Sequence, residues 1–115
     1  MPADRRDQWR ALIADAEDRP PGEFNPNGWV VAAFQAAWSV VARSAEFADP
    51  VRDGLIAAVR IGNDTDTVAA ITGGLLGASF GASAIPLEWV EVLHGWPGYR
   101  AADLERLVVS ALATT

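Results

Sequence analysis

Two carboxylates and two hydroxyls crowd into Asp64-Thr65-Asp66-Thr67, with Gly62 and Asn63 in front and no further charge until Glu88. Side chains of these types can do two things at such a place. An acid ahead of an apolar helix caps it, accepting a free backbone N–H while its charge suits the positive helix end. Oxygen donors at a cap and its first turn can also converge on a hard divalent cation, magnesium or manganese, as mid-helix neighbours cannot. In that second reading Asp64, Asp66 and the hydroxyl of Thr67 are the ligands. The helix dipole opposes a bound cation, so a working centre needs more negative charge than two carboxylates supply. Capping is the commoner use of such acids.

Little else in the chain offers chemistry. His94 is the single histidine, and its place before Gly95-Trp96-Pro97-Gly98 reads as structural. Glu88 and Glu91 flank Trp89 as a solvated face, while Asp49 and Asp53 read as the start of a helix. No cysteine is present, which excludes disulfides, thiolate chemistry and cysteine–zinc sites and fits a reducing cytoplasm. Fifteen acids stand against nine Lys and Arg, and no basic cluster exceeds Arg5-Arg6. A net charge of −6 without a basic stripe disfavours both the nucleic-acid backbone and anionic membrane surfaces as partners. Residues 1–10 carry Asp4, Arg5, Arg6 and Asp7 with no apolar core, so they do not read as a signal peptide, and a cytoplasmic location is expected.

The elements that must position the acidic box follow from periodicity. At 115 residues, half of them hydrophobic, the chain is expected to be a single domain over 1–115. Trp9, Leu12, Ile13 and Ala16 lie on one face of a helix over 5–18. Three prolines in 19–27 make a loop. The next helix, 29–43, shows a stripe of Trp29, Val30, Ala33, Phe34, Ala37, Trp38 and Val41, with Gln35, Ser39 and Arg43 off it. Asp49-Pro50 opens a helix with Val51, Leu55, Ala58 and Val59 as its face. Gly62 ends it, and residues 66–81 form the next. There Gly73, Gly77 and Gly81 recur every four positions, as a smooth groove that another helix can enter. Residues 87–94 bear Trp89, Val90 and Leu93 on one side, and 101–113 put Leu104, Leu107, Val108 and Leu112 inward. No alternating strand pattern is found. The fold class is therefore all-α, a compact helical domain of about five to six helices. The uncharged residues 68–87 match a bilayer in length, but interleaved Thr72, Ser79 and Ser83, terminal Pro86 and acidic flanks favour a buried helix.

Taken in order, Gly62 to Ile71, the small-residue run Gly73-Gly74-Leu75-Leu76-Gly77-Ala78, Phe80-Gly81, and then Ile85, Pro86 and Trp89 resemble the ADP-ribosylglycohydrolase family. That family closes with a glycine, a D-x-D-T box, a small-residue helix, an I-P and a tryptophan. Gly28-Trp29-Val30 with the helix after it resembles the preceding family helix, and His94 to Gly98 the C-terminal turn. The resemblance spans 28–115, with 1–27 an N-terminal helix and Pro-rich loop, and corresponds to the C-terminal part of the fold. It implies an all-α hydrolase holding two Mg2+ or Mn2+ ions and removing ADP-ribose from a modified protein side chain or small acceptor. It makes Asp64, Asp66 and Thr67 metal ligands and sets Trp29 beside the nucleotide, although a tryptophan on that apolar stripe is also read as core. The family's Ser/Thr-Asp-Asp-Thr box and its N-terminal glycine–aspartate segment are absent. Turnover is then expected to need a complementary N-terminal half. The alternative is a non-catalytic helical interaction domain, self-associating through the surface that half would cover.

Overall fold

The computed structural model describes residues 2–114. Among them six α-helices run in order: α1 (Ala3–Asp18), α2 (Val30–Ala42), α3 (Pro50–Arg60), α4 (Thr65–Phe80), α5 (Leu87–Val92) and α6 (Ala101–Ala113). Short 3-10 turns at Pro21–Glu23, Ser44–Glu46 and Ala82–Ala84 join some of them. The described residues hold no strand, only an isolated bridge between Gly95 and Tyr99. The all-α expectation holds. No helix among them is long and apolar enough to cross a membrane, and α4 stops at 16 residues.

The chain divides into two units between Ala84 and Ile85. In the first, α2 is the central element. Ala16, Phe24, Ala33, Ala36, Ala37, Val40, Ala58 and Val68 form its core, with Trp38, Phe47 and Ile71 packed partly against them. Phe34 sits between two tryptophans, edge-on to Trp9 at 5.8 Å and stacked with Trp38 at 6.2 Å between ring centres. The chain leaves α1 through Arg19, whose guanidinium bonds Asp15 at 2.9 Å and Glu23 at 2.8 Å while lying over the Phe24 ring. That clasp turns the loop so that Phe24 enters the core.

The expected stripe on α2 needs correction. Trp29 and Val30 are exposed, whereas Gln35 and Ser39 are buried. The reason is polar satisfaction, since a buried side chain that keeps its hydrogen bonds costs little. Gln35 donates to the Leu12 carbonyl at 3.0 Å, and Ser39 donates to the Arg19 carbonyl at 2.6 Å while accepting from Arg43 at 2.7 Å. The face of α2 toward the end of α1 is thus polar, and small alanines serve the close approach elsewhere.

Asp49 caps α3 as its sequence indicates, accepting the Arg52 N–H at 3.2 Å, and Asp53 returns a bond to the Asp49 N–H at 3.0 Å. Val51 and Ala58 are buried, but Val59 is exposed. The closest helix approach falls at Gly54 of α3, and of the α4 glycines only Gly73 is crowded. A Cβ on Gly54 would meet Leu76 Cδ1 at 2.5 Å, and one on Gly73 would meet Leu55 at 3.2 Å. Nothing lies within 4 Å of a Cβ placed on Gly74, Gly77 or Gly81, so the expected groove is not entered there. Gly81 instead ends α4 at φ +84°. Because Gly74 is exposed and uncrowded, Gly74→Ala is expected to stabilise the protein by about 0.5–1 kcal/mol. A higher urea midpoint at unchanged slope would show it.

The second unit contains α5, a turn over 93–100, and α6. Asp103 accepts the Arg100 N–H at 2.7 Å and also pairs with Arg106, fixing the start of α6. The expected inward face of α6 is exposed: Leu104, Leu107, Val108 and Leu112 range from 46% to 70%. Six-residue α5 has too little surface to cover a thirteen-residue helix.

Candidate functional site

The acidic box occupies the turn between α3 and α4. Gly62 and Asn63 both take positive φ, +88° and +60°, a conformation open to glycine and tolerated by asparagine. This reverses the chain within a few residues and delivers Asp64 to the N-cap position of α4. The helix then begins with the Val68 N–H bonding the Asp64 carbonyl at 3.2 Å. Behind the turn, Val68, Thr72 and Leu76 are wholly buried, so one face of α4 anchors the site from below.

Asp64 does not behave as an ordinary cap. Its side chain accepts no backbone N–H of the helix. Asp66 is held below the usual carboxylate range, first by hydrogen bonding with the Asp64 side chain and then by the backbone N–H groups of Thr67 and Asp66. Asp66 and Thr67 are exposed and Asp64 is half-buried, so the donors are open to solvent.

Two asparagines that periodicity does not single out hold this turn. Asn27 is fully buried. Its amide donates to the Gly62 carbonyl at 3.1 Å and accepts the Asp64 N–H at 2.9 Å. Asn25 accepts from the Asn63 side chain at 2.8 Å. In the sequence they are two turn-forming residues on either side of Pro26, and nothing in their spacing distinguishes clamps from loop.

Trp29 follows Asn27 by two residues and stands at the N-cap of α2. It is 66% exposed, which removes the core reading of that residue. With Arg5, Gln8, Trp9, Leu12 and Val31 it lines a pocket of about 200 Å3. A roomier groove of about 600 Å3, bounded by Phe47, Asp53, Ile56 and Arg60, contains none of Trp29, Asp64, Asp66 and Thr67. His94 is exposed, with Nδ1 2.9 Å from the Val92 carbonyl.

As a donor set for a hard cation, Asp64, Asp66 and Thr67 have the right chemistry: two carboxylates and a hydroxyl within four residues at one helix start. They are too few for a complete centre. No group of three or more acidic, histidine or cysteine side chains suited to a metal exists among the described residues.

Comparison with known proteins finds relatives over most of the chain. Two relatives are ADP-ribosylarginine hydrolases named Tri1. That of Serratia proteamaculans (strain 568) is 32% identical over 87 residues, covering 73% of this chain and 23% of its own. That of Pseudomonas putida (strain GB-1) is 34% identical over 93 residues, covering 78% and 24%. The chain thus spans about a quarter of the length of these relatives. No solved structure matches it. The sequence model of the ADP-ribosylglycohydrolase family matches residues 2–115, and with the D-x-D-T turn and the all-α architecture in place, the chain belongs to that family.

Proposed function

We propose that this chain forms the D-x-D-T part of a metal-assisted ADP-ribosyl hydrolase, acting on the bond between ADP-ribose and a modified arginine. The observation that carries the reading is the D-x-D-T turn of a family member, Asp64 to Thr67, set at a helix start where the Asp64 side chain makes no capping bond. The arginine acceptor is the one in the names of the two relatives. Asp64, Asp66 and the Thr67 hydroxyl would hold Mg2+ or Mn2+, two ions being the family number. Such ions act as Lewis acids and orient a water and sugar hydroxyls. The protein residues supply the rest: Asp64 and Asp66 bring negative charge to one point, and exposed Trp29 offers an aromatic face to the nucleotide. Two carboxylates do not complete the centre, so further acids come from a complementary N-terminal part. The absence of cysteine suits action in the cytoplasm.

The purified 115 residues are expected to release little or no ADP-ribose from an ADP-ribosylated arginine peptide with Mg2+. Supplying the N-terminal three-quarters of the Serratia relative in trans is expected to raise that release. Robust magnesium-dependent release by the chain alone would overturn the incomplete-centre reading.

One observation favours a second reading, a non-catalytic helical domain that self-associates: the exposed apolar face of α6. A stable dimer in size-exclusion chromatography, indifferent to magnesium, together with no hydrolysis in the complemented mixture, would support it.

A further inference from the structure

Asn27 stands outside the family box, yet it holds the acidic turn from another part of the chain. It is completely buried, and both ends of its amide are spent on the turn: Nδ2 on the Gly62 carbonyl and Oδ1 on the Asp64 N–H. Both bonds reach across more than thirty residues of sequence, at separations of 35 and 37. A buried amide that bonds two backbone groups on either side of a residue fixes the path of the chain between them.

The consequence falls on Asp64. Gly62 and Asn63 are in left-handed conformations, and a turn of that kind can relax when nothing holds it. With the Asp64 N–H taken by Asn27, the Asp64 backbone is fixed while its carboxyl makes no bond to the helix end. We propose that Asn27 is the positioning residue of the Asp64–Asp66–Thr67 donor set, holding Asp64 away from the capping geometry that its place in the sequence otherwise favours. This rests on the reading of those three residues as metal donors. Asn27 touches no metal or substrate; it acts through the backbone of Asp64.

The test is a titration of the full 115-residue chain with Mn2+, followed by the paramagnetic broadening of assigned backbone amide signals. In the unsubstituted chain the amides of residues 64–68 are expected to broaden first. In Asn27→Ala, the Mn2+ concentration for half-broadening of those amides is expected to rise about 10- to 100-fold, the usual effect of losing a residue that orients ligands. Ser39→Ala is the control, because it removes buried hydrogen bonds at the other end of α2 and is expected to leave the Mn2+ response unchanged. Should Asn27→Ala not fold, Asn27→Ser is read in the same way. An unchanged response in the folded Asn27 variant overturns the positioning role, as does an equal loss in Ser39→Ala, which would make the effect one of general stability. No preferential broadening of 64–68 in the unsubstituted chain would instead overturn the donor assignment itself, and the positioning role with it.

Discussion

Asp64→Ala is expected to leave the unfolding curve almost in place while lowering ADP-ribose release by the complemented enzyme at least about a hundredfold. The first half follows from the absence of any side-chain bond between Asp64 and the α4 backbone. A substitution that removes no cap, cavity or buried bond shifts stability by no more than about 0.5 kcal/mol. Asp49 provides the contrast, because its carboxylate does accept a helix N–H, that of Arg52. Asp49→Ala should therefore cost about 1 kcal/mol, the ordinary loss for an acidic cap. The second half follows from chemistry: removing a direct donor should exceed the 10- to 100-fold penalty seen for residues one shell further out. Parallel urea titrations and product assays of the two variants separate the roles. Loss of stability with intact activity in Asp64→Ala would return that residue to simple capping.

Leu76→Ala is expected to produce the largest loss of stability, about 2–5 kcal/mol. Leu76 is fully buried on α4 and its Cδ1 occupies the space above Gly54 of α3. The neighbouring helix has no side chain there to move into the vacancy. Gly54→Ala alone sets a helix-propensity gain of about 1 kcal/mol against overpacking of about 1–3 kcal/mol, so a net loss is expected. In the double variant the new methyl group fills part of the space that Leu76 vacates. The two changes should then be non-additive, with a favourable coupling of about 0.5–3 kcal/mol. Additive losses in urea unfolding would show that Gly54 and Leu76 do not share one packing contact.

How far the sequence carried depends on the kind of information each element uses. The start of α3 was legible because Asp49-Pro50 is a local signal, and the structure places the cap and first residue there. The end of α4 fell where the periodicity stopped, although Gly81 serves there as a positive-φ terminator and not as part of a groove. The α2 stripe misled because that helix meets neighbours on several sides, so periodicity averages over more than one face. Gln35 and Ser39 look like surface residues until the carbonyls of Leu12 and Arg19 are in position to receive them. Glycine spacing misled similarly. Regular recurrence in α4 drew attention from the single Gly54, whose importance depends on Leu76 across the interface. At the candidate site, the acidic box and its place at a helix start could be read directly. Asn27 could not, because its role is defined by partners from another part of the chain.

That separation bears on how the site comes into being. The bond between Asn27 and the Asp64 N–H closes a loop of 37 residues, and the bond to Gly62 one of 35. Closing such loops carries an entropic cost that only the packed core of the first unit offsets. A peptide carrying residues 62–80 would thus contain every donor atom of the acidic box and the whole of α4, and still not contain the site. The presented carboxylates are a product of tertiary assembly: they exist only after α2 and its preceding loop have docked.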